Sequence, residues 1–307
     1  MSAERLHIAA LEPYLNPVTP TPFVLKKLVG SLLQRMRLEA DFTGPDVKHH
    51  LGMSTAKLCR IESGEGKRPA HESDVVALLD LYGVEDDDAA VLLALLANAD
   101  RRGWWQRGNP KLLDWLDRFI DLQEGASLIR TFELMLVPGL LQTESYAEAV
   151  IRRGRRPTSE SEILRAVRLR MQRQELLVRP GGATLWAVID ESVLYRNYGG
   201  AQVMAEQLQR LLALSELSEN ASRVRLQIIP QCPPEAVAPG MAFTYLRFPH
   251  QDLADVAYTE LPKGGVFEED PEHTADYRMQ LDLLSQIALT PADTRALLRA
   301  TIRERYS

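Results

Sequence analysis

Apolar positions recur at helical spacing through the first third of the chain. Between residues 23 and 40, Val24, Leu28, Leu32 and Met36 fall four apart and predict a first amphipathic helix. Shorter helices are predicted over residues 43–51, 54–62, 73–82 and 86–98, with Gly83 as a stop signal after Tyr82. Upstream, Pro13, Pro17, Pro20 and Pro22 predict a flexible or extended arm over residues 1–22. Past Gly103, Trp104 and Trp105 the pattern changes. Helical stretches at 112–123, 143–152, 159–178 and 201–217 mix with β-branched, apolar runs at 184–189, 224–229, 243–248 and 255–259 that read as strands. Residues 274–303 read as two further helices, the second opening at Pro291. The predicted organisation is a mostly α N-terminal domain of five helices over residues 23–100, then an α+β C-terminal domain over residues 101–307.

Residues 42–69 carry the clearest chemistry. Thr43 is a good N-cap, and Pro45 suits a first helical turn, where a missing N–H leaves nothing unpaired. Val47 and Leu51 share one face, and Gly52 permits the left-handed residue that ends a helix sharply. Ser54 caps the next helix, in which Leu58 and Ile61 face inward. Two short helices joined by a glycine turn form the geometry that lays a second helix in a DNA major groove. With Leu58 and Ile61 inside, Thr55, Ala56 and Arg60 face outward: Arg60 toward a guanine edge, Thr55 toward a base hydrogen bond, Ala56 toward a thymine methyl. Thr43, Ser54, Lys57, Lys67 and Arg68 are the expected contacts to the sugar-phosphate backbone.

Charge sharpens this expectation. The chain of 307 residues has a net charge of −6, which as an average argues against a polyanion. From Lys26 to Ala70, however, nine basic residues stand against five acidic ones, a local balance of +4. The following stretch to Asp100 holds eight acids and no lysine or arginine. A basic module on an otherwise acidic protein is what a localised nucleic-acid surface requires.

The stretch built from Gly52, Met53 and Ser54, residues 57–62, and residues 64–69 resembles the Xre/Cro/phage-repressor class of helix-turn-helix domains. The resemblance implies a lambda-repressor-like fold, base contacts from Thr55, Ala56 and Arg60, and a backbone-touching loop at Lys67 and Arg68. It also implies an ion pair between Arg37 on the first helix and Glu62 at the end of the third. The class often has glycine where this chain has Asp41 and glutamine where it has Gly44, so strain is expected in the turn after the first helix. Residues 78–84, Gly103 with Trp104 and Trp105, Glu133, residues 137–143, Tyr146 with Ala147, and Asp190 with Glu191 are similar to a large actinobacterial regulator family. Its members join this domain to a shared C-terminal domain of poorly known function. Such regulators are often encoded beside a small partner protein and described as antitoxin-like.

The rest of the sequence offers weaker signals. Cys59 and Cys232 form neither a disulfide framework nor a metal pair, and Cys59 is read as a tolerated small residue rather than a redox switch. His49 and His50 point about 100° apart on a helix and do not share a metal. The dense basic run Arg152, Arg153, Arg155 and Arg156 reads as a solvated face, and Trp104, Trp105, Trp115 and Trp186 as core. Glu133, Asp190, Glu191 and Glu260 form a set of carboxylates whose spacing fixes no geometry. No GxSxG, HExxH or Walker motif is present, so no enzyme activity, cofactor or metal is expected. The absence of an export signal and of a long apolar run predicts a cytoplasmic protein without membrane association. The expectation is a homodimeric transcriptional regulator that binds a double-stranded operator and senses a small molecule or small protein. The alternative is an antitoxin-like interaction module that binds a partner protein and autoregulates its operon.

Overall fold

A computed structural model describes residues 11, 14–15, 21–66, 68–106, 112–154, 159–217, 223–232 and 240–306. The chain divides into two compact units, Met1–Gly125 with Phe248–Ala254, and Ala126–Arg247 with Asp255–Ser307.

The first unit holds five consecutive helices: α1 (Pro22–Glu39), α2 (Gly44–Leu51), α3 (Thr55–Glu62), α4 (Glu72–Tyr82) and α5 (Asp86–Ala99). Their apolar faces meet in one core containing Val24, Leu28, Leu32, Leu58, Leu78 and Leu92. Asp86, Asp87 and Asp88 fill the first turn of α5, where the helix dipole favours negative charge. The unit also includes α6 (Asp114–Gly125), so it extends past the boundary expected near residues 100–104. Buried Trp105 fixes this extension by donating from Nε1 to Asp117 at 2.6 Å. The described part of the N-terminal arm is packed rather than free. Leu11 and Tyr14 are buried, and the Asn98 amide donates to the carbonyls of Tyr14 and Leu15.

The second unit is α+β. Six strands, β1 (Leu128–Glu133), β2 (Thr184–Asp190), β3 (Val224–Ile229), β4 (Phe243–Arg247), β5 (Val256–Leu261) and β6 (Gly264–Glu268), form one sheet in the order β3-β2-β1-β4-β5-β6. β1, β2 and β3 run parallel, and β4, β5 and β6 continue antiparallel. Parallel pairs need long crossovers. These are α7 (Glu144–Gly154) with α8 (Glu160–Arg173) before β2, and α9 (Ala201–Leu217) before β3. Phe132, Val188, Phe243 and Tyr245 on one sheet face pack with Leu281 and Leu284 of α10 (Pro271–Ile287), and α11 (Pro291–Arg305) closes the chain.

Two strands, β1 and β6, escape the sequence pattern. β1 is central and buried at its four middle positions, yet it carries Arg130 and Thr131 there in place of apolar residues. Arg130 is accommodated by Asp282 at 2.6 Å and by stacking 4.5 Å from the Trp186 ring centre. Thr131 shares a hydrogen bond with Thr244 at 3.2 Å.

Candidate nucleic-acid interface

The site is built by two turns. After α1 the chain reverses at Asp41, which has φ of 58° and is the one non-glycine residue with positive φ among the described residues. Thr43 then starts α2 with a reciprocal cap. Its Oγ1 accepts from the Asp46 amide, and its own amide donates to Asp46 Oδ2 at 2.8 Å. The Thr43 contacts also hold the Asp46 carboxyl below the usual carboxylate range. Gly52 ends α2 at φ of 67°, the left-handed conformation that a side chain disfavours. Ser54 opens α3 by accepting from the Lys57 amide at 3.2 Å.

The position of α3 is set by what lies behind it. Leu58 and Glu62 are buried, while Ile61, expected to face inward, is half-buried. A Cβ on Gly30 of α1 would come within 2.4 Å of the Glu62 carbonyl oxygen and 2.6 Å of that of Ile61. A Cβ on Gly64, just past α3, would come within 2.7 Å of the Lys27 backbone. The two backbones touch where only glycine fits. Arg37 locks the same crossing: Nε donates to Glu62 Oε1 at 2.6 Å, Nη2 to Oε2 at 3.1 Å, and Nη1 to the Phe42 carbonyl at 2.8 Å. The bond to Glu62 raises the Arg37 pKa further.

The outer side of α3 is open. Thr55, Ala56, Cys59 and Arg60 are exposed, and the Arg60 side chain lies back along the helix, with Nε donating to the Ala56 carbonyl at 3.3 Å. Arg68 is exposed, and Lys67 lies outside the described residues. Lys57 is turned aside, with Nζ 2.7 Å from Asp74 of α4, so a phosphate contact from it competes with this carboxylate. Lys26, absent from the sequence-based set, joins the same surface by donating to the Gly66 carbonyl at 2.6 Å. Burial lowers its pKa. Lys26, Lys57, Arg60 and Arg68 together line a hollow of about 450 Å³ beside the C-terminal end of α3.

Sequence patterns missed Asp46, Gly30 and Lys26. The spacing of Thr43 and Asp46 carries the capping-box signal, with aspartate in the place usually held by Glu or Gln. Nothing local marks Gly30, because its constraint comes from a helix some thirty residues away. The other candidate groups have structural partners. Arg152 bridges Glu148 and Glu160, Asp190 accepts from the Ser192 amide, and Glu191 accepts from the Tyr195 hydroxyl and the Gln231 amide. Arg155 and Arg156 lie outside the described residues. Glu133 is half-buried at the end of β1, and removal from water together with the charge of Glu260 raises its pKa to about 8. Among the described residues no group of three or more His, Cys, Asp or Glu is placed to hold a metal ion, and no helix is long and apolar enough to cross a membrane.

Residues 28–92 match the family model described as a helix-turn-helix domain, which spans most of α1 and all of α2, α3 and α4. Residues 116–300 match the model of the family described as a domain of unknown function, DUF5753. The chain belongs to the DUF5753 family. No curated protein and no solved structure shows significant similarity to it. The DUF5753 match begins inside α6 and includes the 248–254 connection between β4 and β5, so part of it lies in the helix-turn-helix unit. Within the DUF5753 region, residues 137–143 form a clamped loop after β1. Gln142 donates to the Val137 carbonyl and accepts from Arg170, while Gln207 donates to the Leu141 carbonyl and accepts from the Thr143 amide. These contacts tie that motif to α8 and α9.

Proposed function

We propose that this protein is a sequence-specific DNA-binding transcriptional regulator of the Xre/Cro type, belonging to the actinobacterial regulators that share this C-terminal domain. The observation that supports it best is the presentation of α3. Glu62 and the backbone of α3 are pinned to α1, while Thr55, Ala56 and Arg60 stand exposed beside a hollow whose lining holds four basic side chains against Glu65 and Asp74. In this reading α3 enters a major groove, with Arg60 on a guanine edge, and Arg68, Thr43, Ser54 and, by its place in the sequence, Lys67 contact phosphates. Two copies on a pseudo-palindromic operator would place their α3 helices about one helical turn apart. In this scheme the protein is a cytoplasmic homodimer without catalytic activity, and the DUF5753 region senses a small molecule or a small partner protein. Selection of bound sequences from a random duplex library with the full chain, followed by footprinting, tests it. A two-fold symmetric consensus is expected. Indifferent recovery of all sequences would refute it. Co-purification from the native host tests the antitoxin-like alternative, for which a stoichiometric small protein is the expected product.

A further inference from the structure

The N-terminus of α1 lacks a local cap: Thr21 occupies the capping position without a side-chain hydrogen bond. The cap comes from α6. Asp121 Oδ2 accepts from the Phe23 amide at 2.9 Å, and Oδ1 accepts from the Val24 amide at 3.0 Å. Pro22 has no N–H, so these are two of the three amides that this helix start leaves without helical partners, and a carboxyl group there is favoured by the helix dipole. Asp121 is buried, and a Cβ on Gly125 would meet Val24 Cγ2 at 2.9 Å. The Arg118 guanidinium stacks 4.5 Å from the Phe23 ring centre. A second hold lies further along α1, where Arg35 Nη1 stands 3.1 Å from Asp252 Oδ2. Both acids fall within the DUF5753 match, and both belong to the compact unit that carries α3.

The path from Asp121 to α3 is short. Val24 lies one turn from Lys27, whose backbone touches Gly64, and two turns from Gly30, whose backbone touches the end of α3. Those contacts leave no space, so a shift of α1 is passed on rather than absorbed. We propose that Asp121 is a positioning residue for the DNA-facing surface, fixing α1 and through it α3, with Asp252 on Arg35 as a second hold. The DUF5753 region thereby controls the presentation of α3 from inside the DNA-binding unit. This rests on the DNA-binding function proposed above.

Full-length Asp121→Asn, which keeps the shape and one carbonyl acceptor, tests it alongside Asp121→Ala. The Asn variant should bind the selected duplex roughly five- to 150-fold more weakly, the span of ordinary coupling between sites. Amides of residues 58–62 should exchange with deuterium faster than in the parent, while those of β1, β2 and β4 exchange at the parent rate. A purely structural role would lower the melting temperature and leave the folded protein's affinity and its α3 exchange unchanged. Parent-like exchange over residues 58–62 in the Asn variant overturns the proposal whatever the duplex affinity, and so does parent-like affinity. If Asp121→Ala does not fold, the Asn variant alone decides. If the parent selects no duplex, the DNA-binding function fails and exchange over residues 58–62 still judges the role of Asp121.

Discussion

Asp41 holds a conformation that costs a side-chain-bearing residue energy, roughly 1–2 kcal/mol for the left-handed region and less for aspartate, whose short side chain tolerates it. Asp41→Gly should therefore raise stability by about 0.5–1 kcal/mol, read as a higher urea midpoint at unchanged slope. The strain was legible in the sequence, because the related class often has glycine at this position. The Arg37–Glu62 pair was legible in the same way, and its burial makes it sensitive: Glu62→Gln leaves a guanidinium without its counter-charge and should destabilise by about 3 kcal/mol in the same titration. Arg60 has no such structural duty. Arg60→Ala should leave the urea midpoint unchanged and weaken operator binding by about 1–3 kcal/mol, relaxing the consensus at one base position. Unaltered preference at every position in a repeated selection would place base recognition elsewhere. Asp121 was not legible at all, since its role depends on partners 97 and 98 residues earlier.

Helices were easier to read than strands, for a physical reason. Each short helix here carries its own punctuation: Thr43 and Ser54 as caps, Gly52 and Gly83 as left-handed stops. Strand β1 carries none, because Arg130 and Thr131 interrupt its apolar pattern and find their partners elsewhere in the fold, among them Asp282 and Thr244. β6, with two glycines and an exposed Val266, shows too little alternation to stand out. At the crossing of α1 and α3 the elements meet backbone to backbone, so Gly30→Ala must push them apart. The expected cost is about 1–3 kcal/mol, the range for overpacking a tight contact, despite the better helix propensity of alanine. A thermal melt showing stabilisation instead would mean that the crossing is looser than its 2.4 Å approach implies.

At the scale of the whole chain, the basic stretch of residues 26–70 brings Lys26, Arg60 and Arg68 to one surface of a protein whose net charge is −6, and salt should act on it directly. The logarithm of operator affinity is expected to fall linearly with the logarithm of salt concentration, and Arg68→Ala should reduce the slope by about one phosphate's worth. Acidity acts elsewhere. Removal from water raises Asp121 to about 7 and Glu133 to about 8, in Asp121 against the pull of two amide hydrogen bonds. Between the ordinary carboxylate range and these values the folded chain keeps protons that the unfolded chain has lost. The stability these groups contribute is therefore greatest in acid and declines as pH rises from about 4 to about 8. Glu133→Gln should flatten that decline in urea midpoints taken across the window, and an unchanged profile would show that Glu133 titrates normally. The distance in sequence between α1 and its cap also bears on how the protein is made. A ribosome works from the N-terminus, so every helix of the helix-turn-helix is synthesised before Asp121, and Asp252 follows much later. The newborn DNA-binding half is thus unfinished until its successor region arrives, and a chain broken off early would lack the groups that set its grip.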